Sequence, residues 1–206
     1  MPHRDRRDAR PASLIGRRAG VIAVLLTLVF GSAAAFAGTL DERQGTIELS
    51  YGRYNMADPL FKTIYQPGGA IQGLGLTAHL ISYLDFYLDV KLMSKSGQLS
   101  YSKEKTTLTL LPISVGIRGS YPIAFVEPFA GLGLDTYIFY ENNVIGTTLN
   151  HAKGWHLTGG FYIRFGKNIP LLPFVRIKYA MVKSTTNGVT VDLGGLEYAA
   201  GLAVAF

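Results

Sequence analysis

The sequence predicts an all-β fold, an eight-stranded antiparallel up-and-down transmembrane β-barrel, and three observations carry that expectation. The first is the stretch VDLGGLEYAAGLAVAF (191–206), which alternates with a period of two. Leu196, Tyr198, Ala200, Leu202, Val204 and Phe206 share one face; Gly195, Glu197, Ala199, Gly201, Ala203 and Ala205 share the other. An oily face backed by small residues and a carboxylate suits the wall of a narrow barrel whose apolar side meets lipid. The second is that seven earlier stretches repeat this alternation. The third is that beyond residue 37 no run approaches the roughly 18 apolar residues of a spanning helix, so a closed barrel is the remaining way to satisfy every backbone hydrogen bond in lipid.

The leader comes first along the chain. Residues 1–18 are basic, 19–30 are apolar, and GSAAAFAG follows, with Ala35 and Ala37 bracketing Phe36 in a small-x-small pattern. This reads as a secretory signal peptide cut after Ala37, leaving 38–206 as one β domain. The small residues at the processing site and the lack of a basic stop-transfer cluster argue against an uncleaved anchor. Arg17 and Arg18 form a twin-Arg pair without the rest of that export motif.

Composition agrees. The 206 residues include 24 Gly, 12 Tyr and no Cys, so neither a disulfide framework nor a cysteine-linked lipid anchor is available. The net charge of +6 hints at nucleic acid, but residues 1–37 hold six Arg and two Asp; the remainder carries 14 bases and 12 acids, a net of +2. No nucleic-acid partner is expected.

Strand one, 45–55, sets Ile47, Leu49 and Tyr51 against Glu48, Ser50 and Gly52. After a loop at 55–69, strand two, 70–81, sets Leu74, Leu76, Ala78 and Leu80 against Gly73, Gly75, Thr77 and His79. A tight turn at 82–85 leads to strand three, with Phe86, Leu88, Val90 and Leu92 opposite Tyr87, Asp89, Lys91 and Met93; it runs on as a polar hairpin to an exposed charged tip at 103–105. Strand four, 107–121, opposes Ile113, Val115 and Ile117 to Ser114, Gly116 and Arg118. Pro112 lacks a donor there, so a bulge or a position above the bilayer is expected.

Strand five, 128–140, opposes Leu132, Leu134 and Ile138 to Gly131, Gly133, Asp135 and Tyr137. A long loop is expected at 141–153. Strand six, 154–165, sets Trp155, Leu157, Phe161 and Ile163 against His156, Thr158, Gly160, Tyr162 and Arg164. Strand seven, 172–183, sets Val175, Ile177, Tyr179 and Met181 against Phe174, Arg176, Lys178 and Ala180, and a turn at Asn187-Gly188 opens strand eight. The longer loops alternate with the shorter turns, so the two sets lie at opposite ends of the barrel.

The signal peptide, the eight amphipathic strands, the final Phe, and phrases such as LPISVGIRGSYPI and VEPFAGLGLDTY together resemble the small bacterial outer-membrane β-barrel families that include OmpA, OmpX and OmpW. The resemblance covers about 45–206. It implies a porin-like, Gram-negative cell-envelope protein in the outer membrane, with periplasmic termini and surface-exposed longer loops; because the sequence stops at Phe206, no peptidoglycan-binding domain is expected after the barrel. It also implies an assembly signal in the last strand, at Tyr198, Leu202, Val204 and Phe206, read by the barrel-assembly machinery.

Strand parity turns Glu48, Asp89, Asp135 and Glu197 inward with Lys91, Arg118, Arg164, Arg176 and Lys178. Charges in so narrow a space must pair, so an ion-pair network that plugs the lumen is expected. Tyr51, Tyr140, Trp155, Phe165, Tyr179 and Tyr198 are candidates for the aromatic girdles at the boundary between lipid and water.

Catalysis finds little support. His156-Leu157-Thr158 loosely resembles the His-x-Ser pair of lipid A deacylase barrels, but Thr replaces Ser, the pair faces the lumen, and no carboxylate lies between Glu141 and Asp192 to orient the imidazole. His79 and Ser82 face opposite ways. No metal or cofactor is expected. The reading is a non-enzymatic barrel whose partners are outer-membrane lipid and an extracellular ligand that the sequence does not name. The rivals are an OmpW-like conduit for small apolar solutes and, behind it, a lipid A-modifying enzyme.

Overall fold

Nine strands and one short helix follow one another in the computed structural model: β1 (Gly45–Met56), α1 (Pro59–Tyr65), β2 (Gly69–Ile81), β3 (Leu84–Gln98), β4 (Lys105–Ser120), β5 (Val126–Asn143), β6 (Gly146–Ile163), β7 (Leu171–Thr186), β8 (Val189–Asp192) and β9 (Gly195–Ala205). The structure describes residues 43–65, 68–98, 105–143, 146–166, 169–186 and 189–206. The expected signal peptide and the charged tip at 103 and 104 lie outside the described residues.

All neighbouring strands pair antiparallel. β1 pairs with both β2 and β9, and β6 with β7, so the sheet closes on itself. β8 and β9 share one register along β7, with Lys183 opposite Asp192 and Ala180 opposite Gly195. They are therefore two halves of the eighth barrel strand. The break is bridged locally: the Gly194 amide donates to the Val182 carbonyl at 3.0 Å and to Asp192 Oδ1 at 2.9 Å, while Leu193 is buried.

The wall is oily outside and polar at mid-height inside. Leu132, Ile177 and Leu202 are 57%, 54% and 43% exposed, whereas Arg118 and Glu197 are 2% exposed. Such an outer belt would be costly in water and is at home in hydrocarbon. On β7 it runs from Leu171 to Met181, 11 residues, within the roughly 9–11 that a tilted strand needs to cross a bilayer.

One expectation needs correction, and at Pro112 one of the two expected alternatives is removed. The 141–153 segment is mostly ladder: β5 and β6 stay paired from Val126–Ile163 up to Asn143–Gly146. The run ENNVIGTTLNHAK hid this because it lacks the sustained alternation by which a strand is read. Pro112 produces no bulge. The β3–β4 ladder skips Lys91 and Leu92 and resumes in the same register, Val90 opposite Ile113 and Met93 opposite Leu110, while Pro112 keeps its partner Tyr137 on β5. The missing donor interrupts one side of one ladder without shifting it. A register shift does occur elsewhere, between His79 and Ile81 near the β2–β3 turn.

Candidate functional site

The side chains that converge do so inside the barrel, in three layers. At mid-height the inward positions carry charge. Arg176 on β7 meets Asp89 on β3 at 3.0 Å and Glu48 on β1 at 3.3 Å; Arg118 on β4 meets Glu48 at 2.8 Å; Lys91 on β3 meets Glu197 on β9 at 2.6 Å and Asp89 at 3.7 Å. Lys178 on β7 donates to Asp135 at 2.8 Å and to the Ser114 hydroxyl at 2.6 Å. All these charged residues are buried, and burial obliges such pairing because an isolated charge in a low-dielectric interior costs several kcal/mol.

Small residues make room for the charges. Gly73 stands opposite Lys91 and Gly75 opposite Asp89. A Cβ on either would come within 2.7 Å of the Lys91 Cγ or 2.5 Å of an Asp89 oxygen.

The end that holds the short turns is floored by Phe129, Tyr162, Leu172, Phe174, Ala203 and Ala205. The Arg118 guanidinium lies 4.9 Å from the Phe129 ring and 5.1 Å from Tyr162, and Arg176 lies 5.6 Å from Phe174, so aromatic faces sit against both guanidinium groups. Tyr162 also donates its hydroxyl to Glu48. At the mouth, Arg43 pairs with Glu127 at 2.7 Å and stands 3.8 Å from Asp85, which binds His79 at 2.8 Å.

The opposite end is apolar. Tyr54, Met56, Ile71, Met93, Leu110, Tyr137, Val182 and Leu193 form a cluster into which α1 lowers Phe61 and Tyr65. The two α1 rings stack at 5.0 Å, and the Tyr65 hydroxyl is 3.0 Å from that of Thr106. Asp58 caps the helix, accepting the Phe61 amide at 3.2 Å, and its other oxygen accepts the Asp192 amide at 3.2 Å. Below, Tyr54 donates to the Leu193 carbonyl at 2.6 Å, 3.3 Å from the Tyr137 hydroxyl.

Of the inward residues expected from the sequence, Glu48, Asp89, Lys91, Arg118, Asp135, Arg176, Lys178 and Glu197 are brought together as described. Arg164 lies half-buried one residue past the end of β6, its amide donating to the Phe125 carbonyl at 2.8 Å. Parity reasoning overlooked Arg43, Asp85 and Glu127, which sit where strands begin or end and alternation gives no signal.

The histidine reading changes as well. Asp135, from the neighbouring strand β5, lies 3.0 Å from Nδ1 of His156, and the hydroxyl of Tyr87 is hydrogen-bonded to Nε2. A carboxylate does orient the imidazole, although no local one could. Its signal was the pairing of Gly133 with His156, visible only once strands are in register. Thr158 does not join them; its hydroxyl donates to the Ile177 carbonyl at 3.2 Å. His156 is buried, with Nδ1 beside the Asp135 carboxylate and Nε2 bonded to the Tyr87 hydroxyl.

Outside, Tyr51, Tyr140, Trp155, Phe165, Tyr179 and Tyr198 all point away from the interior and are exposed. Tyr83, Tyr121 and Phe125, exposed at the short-turn end, add aromatics that the sequence reading did not include; the Tyr83 and Tyr121 rings lie 5.1 Å apart. In the last strand Leu202 is exposed, Val204 and Phe206 are half-buried, and the Phe206 carbonyl accepts the Gln44 amide at 2.7 Å.

No protein-family model and no curated protein sequence matches the chain. Solved structures do. The Neisserial surface protein A aligns at 13% identity over 79% of this chain and 97% of its own, with a TM-score of 0.61. OprG, an outer-membrane protein of Pseudomonas aeruginosa, aligns at 13% identity over 80% and 96%, with a TM-score of 0.63. Ail of Yersinia pestis, the attachment invasion locus protein, solved with the heparin analogue sucrose octasulfate, aligns at 12% identity over 77% and 97%, with a TM-score of 0.51. The chain has the fold of these small bacterial outer-membrane barrels.

Proposed function

We propose that this chain is a non-enzymatic integral outer-membrane protein whose lumen is closed by its own side chains and whose loops provide binding or envelope integrity at the cell surface. The observation that carries the reading is the Arg176–Asp89 contact at 3.0 Å, because these residues rise from opposite walls and their side chains meet across the lumen. The apolar cluster around α1 and the aromatic floor support the same reading. At mid-height Glu48, Asp89, Asp135 and Glu197 meet Lys91, Arg118, Arg176 and Lys178, four acids with four bases, which offers no net field there to select an ion. Outer-membrane lipid would surround the belt, and the last strand would present Tyr198, Leu202, Val204 and Phe206 to the barrel-assembly machinery during insertion.

Planar-bilayer recording of the purified full chain tests closure. Silence at all voltages is the expected result, and steady single-channel conductance would end the proposal. One observation favours a second reading, the OmpW-like conduit: the interior beneath α1 is apolar down to Tyr54 and Tyr137, a surface that small apolar solutes would wet. Uptake of such a solute into vesicles containing the chain, above that of empty vesicles, would favour it.

A further inference from the structure

Between β6 and β7 the outward face changes character at a single register row. Lys153 stands opposite Lys183; below them Trp155 faces Met181, Leu157 faces Tyr179, Gly159 faces Ile177 and Phe161 faces Val175. Apart from half-buried Gly159, all of these are exposed. Basic groups therefore sit directly above an oily run on both strands, at the height where headgroups meet hydrocarbon.

Two like charges directly opposite in an antiparallel pair repel and destabilise it. Among the described residues neither lysine has an ion pair within 4 Å; Asp192, opposite Lys183 on β8, accepts the Gly194 amide at Oδ1. The row thus sets two ammonium groups side by side on neighbouring strands.

A furrow opens beneath it. About 430 Å³ of space is lined by Leu157, Phe161, Val175, Ile177 and Tyr179 around Gly159. Most wall glycines are demanded by crowding, but a Cβ on Gly159 would meet only the Phe129 carbonyl oxygen, at 3.6 Å. Backbone packing leaves the glycine unexplained, and what it creates is a dent in the lipid-facing surface. From Lys153 to Gly159 is about 20 Å along the strand, roughly 15 Å of depth at a 45° tilt, which is the reach of one acyl chain in one leaflet.

We propose that the β6–β7 seam binds an anionic, phosphate-bearing lipid of the leaflet on the loop side. Its phosphate lies between the ammonium groups of Lys153 and Lys183, and one acyl chain lies in the furrow at Gly159. The proposal rests on the transmembrane reading above.

Trp155 is the chain's single tryptophan and sits between the two halves of the seam. The full chain is reconstituted in phosphatidylcholine vesicles, and quenching of Trp155 fluorescence is followed as either brominated phosphatidic acid or brominated phosphatidylcholine is added. Phosphatidic acid is expected to quench with about tenfold higher apparent affinity. Lys153→Gln/Lys183→Gln should abolish that preference while brominated phosphatidylcholine still quenches, which also reports that the variant is inserted. Gly159→Leu should weaken the phosphatidic acid effect severalfold by filling the furrow. Equal quenching by the two lipids in the native chain, or a preference that survives the double substitution, overturns the lipid site alone. Failure of both lipids to quench overturns the lipid site and the transmembrane reading together.

Discussion

Arg176 on β7 and Asp89 on β3 stand four barrel strands apart whichever way the wall is followed, yet Nη1 and Oδ2 are 3.0 Å apart. Arg176 also reaches Glu48 at 3.3 Å and the Ser50 hydroxyl at 3.4 Å. Removing it strands buried carboxylate charge. Arg176→Met should cost about 3–5 kcal/mol, and adding Asp89→Leu should recover part of that loss, because an apolar pair tolerates burial where a lone charge does not. Urea titration of the reconstituted protein, followed by the loss of heat-modifiable gel migration, measures both; a neutral Arg176→Met would contradict the pairing.

The outer belt predicts a gradient with depth. Leu132→Arg or Ile177→Arg should cost about 2–4 kcal/mol at the midplane, whereas Thr185→Arg, outward and above Lys183, should cost about 0–1. The same titration reads all three, and equal costs would remove the belt.

Asp58 holds two separate segments, α1 through the Phe61 amide and β8 through the Asp192 amide. Asp58→Ala should destabilise the capped turn by about 1–2 kcal/mol. Amide exchange at Phe61 and Asp192 should then quicken together, with exchange at mid-barrel residues such as Ser114 unchanged. Quickening at one site alone would show that the cap does not join them.

The β4–β5 turn carries local strain. Ile123 and Val126 exchange backbone bonds of 2.7 and 2.9 Å around Ala124, whose φ is +51°, and Phe125. A positive φ at the first central position of a two-residue hairpin suits glycine. Ala124→Gly should stabilise the barrel by about 0.5–1 kcal/mol after the larger unfolded-state entropy of glycine is set against relief of the left-handed strain. A lower urea midpoint would contradict this.

Strand parity was legible because a period of two depends on nothing but the chain itself: Glu48, Asp89 and Arg176 could be turned inward from their neighbours alone. Partnership was not. Asp135 beside His156, or Arg43 beside Glu127, depends on register and on which walls face each other, and neither is written locally. The apolar cap was missed for another reason. Tyr54, Met56, Leu108 and Leu110 place oily residues on the inner face just where a barrel was expected to be polar, so alternation there carries no contrast. Asp58-Pro59, a cap followed by proline at the first helical position, did announce α1, but its seven residues are too short for helical periodicity to speak.

Absence of cysteine makes the native chain a clean background for single-cysteine spin labels along β5 at 131–136. Labels at 132 and 134 should be relaxed strongly by dioxygen dissolved in the bilayer, and labels at 133 and 135 should be shielded both from dioxygen and from a water-soluble nickel chelate. That alternation is what an oil-facing wall around a packed polar interior must give. Shielding at 132 and 134 with nickel access at 133 and 135 would mean that the barrel has been read inside out.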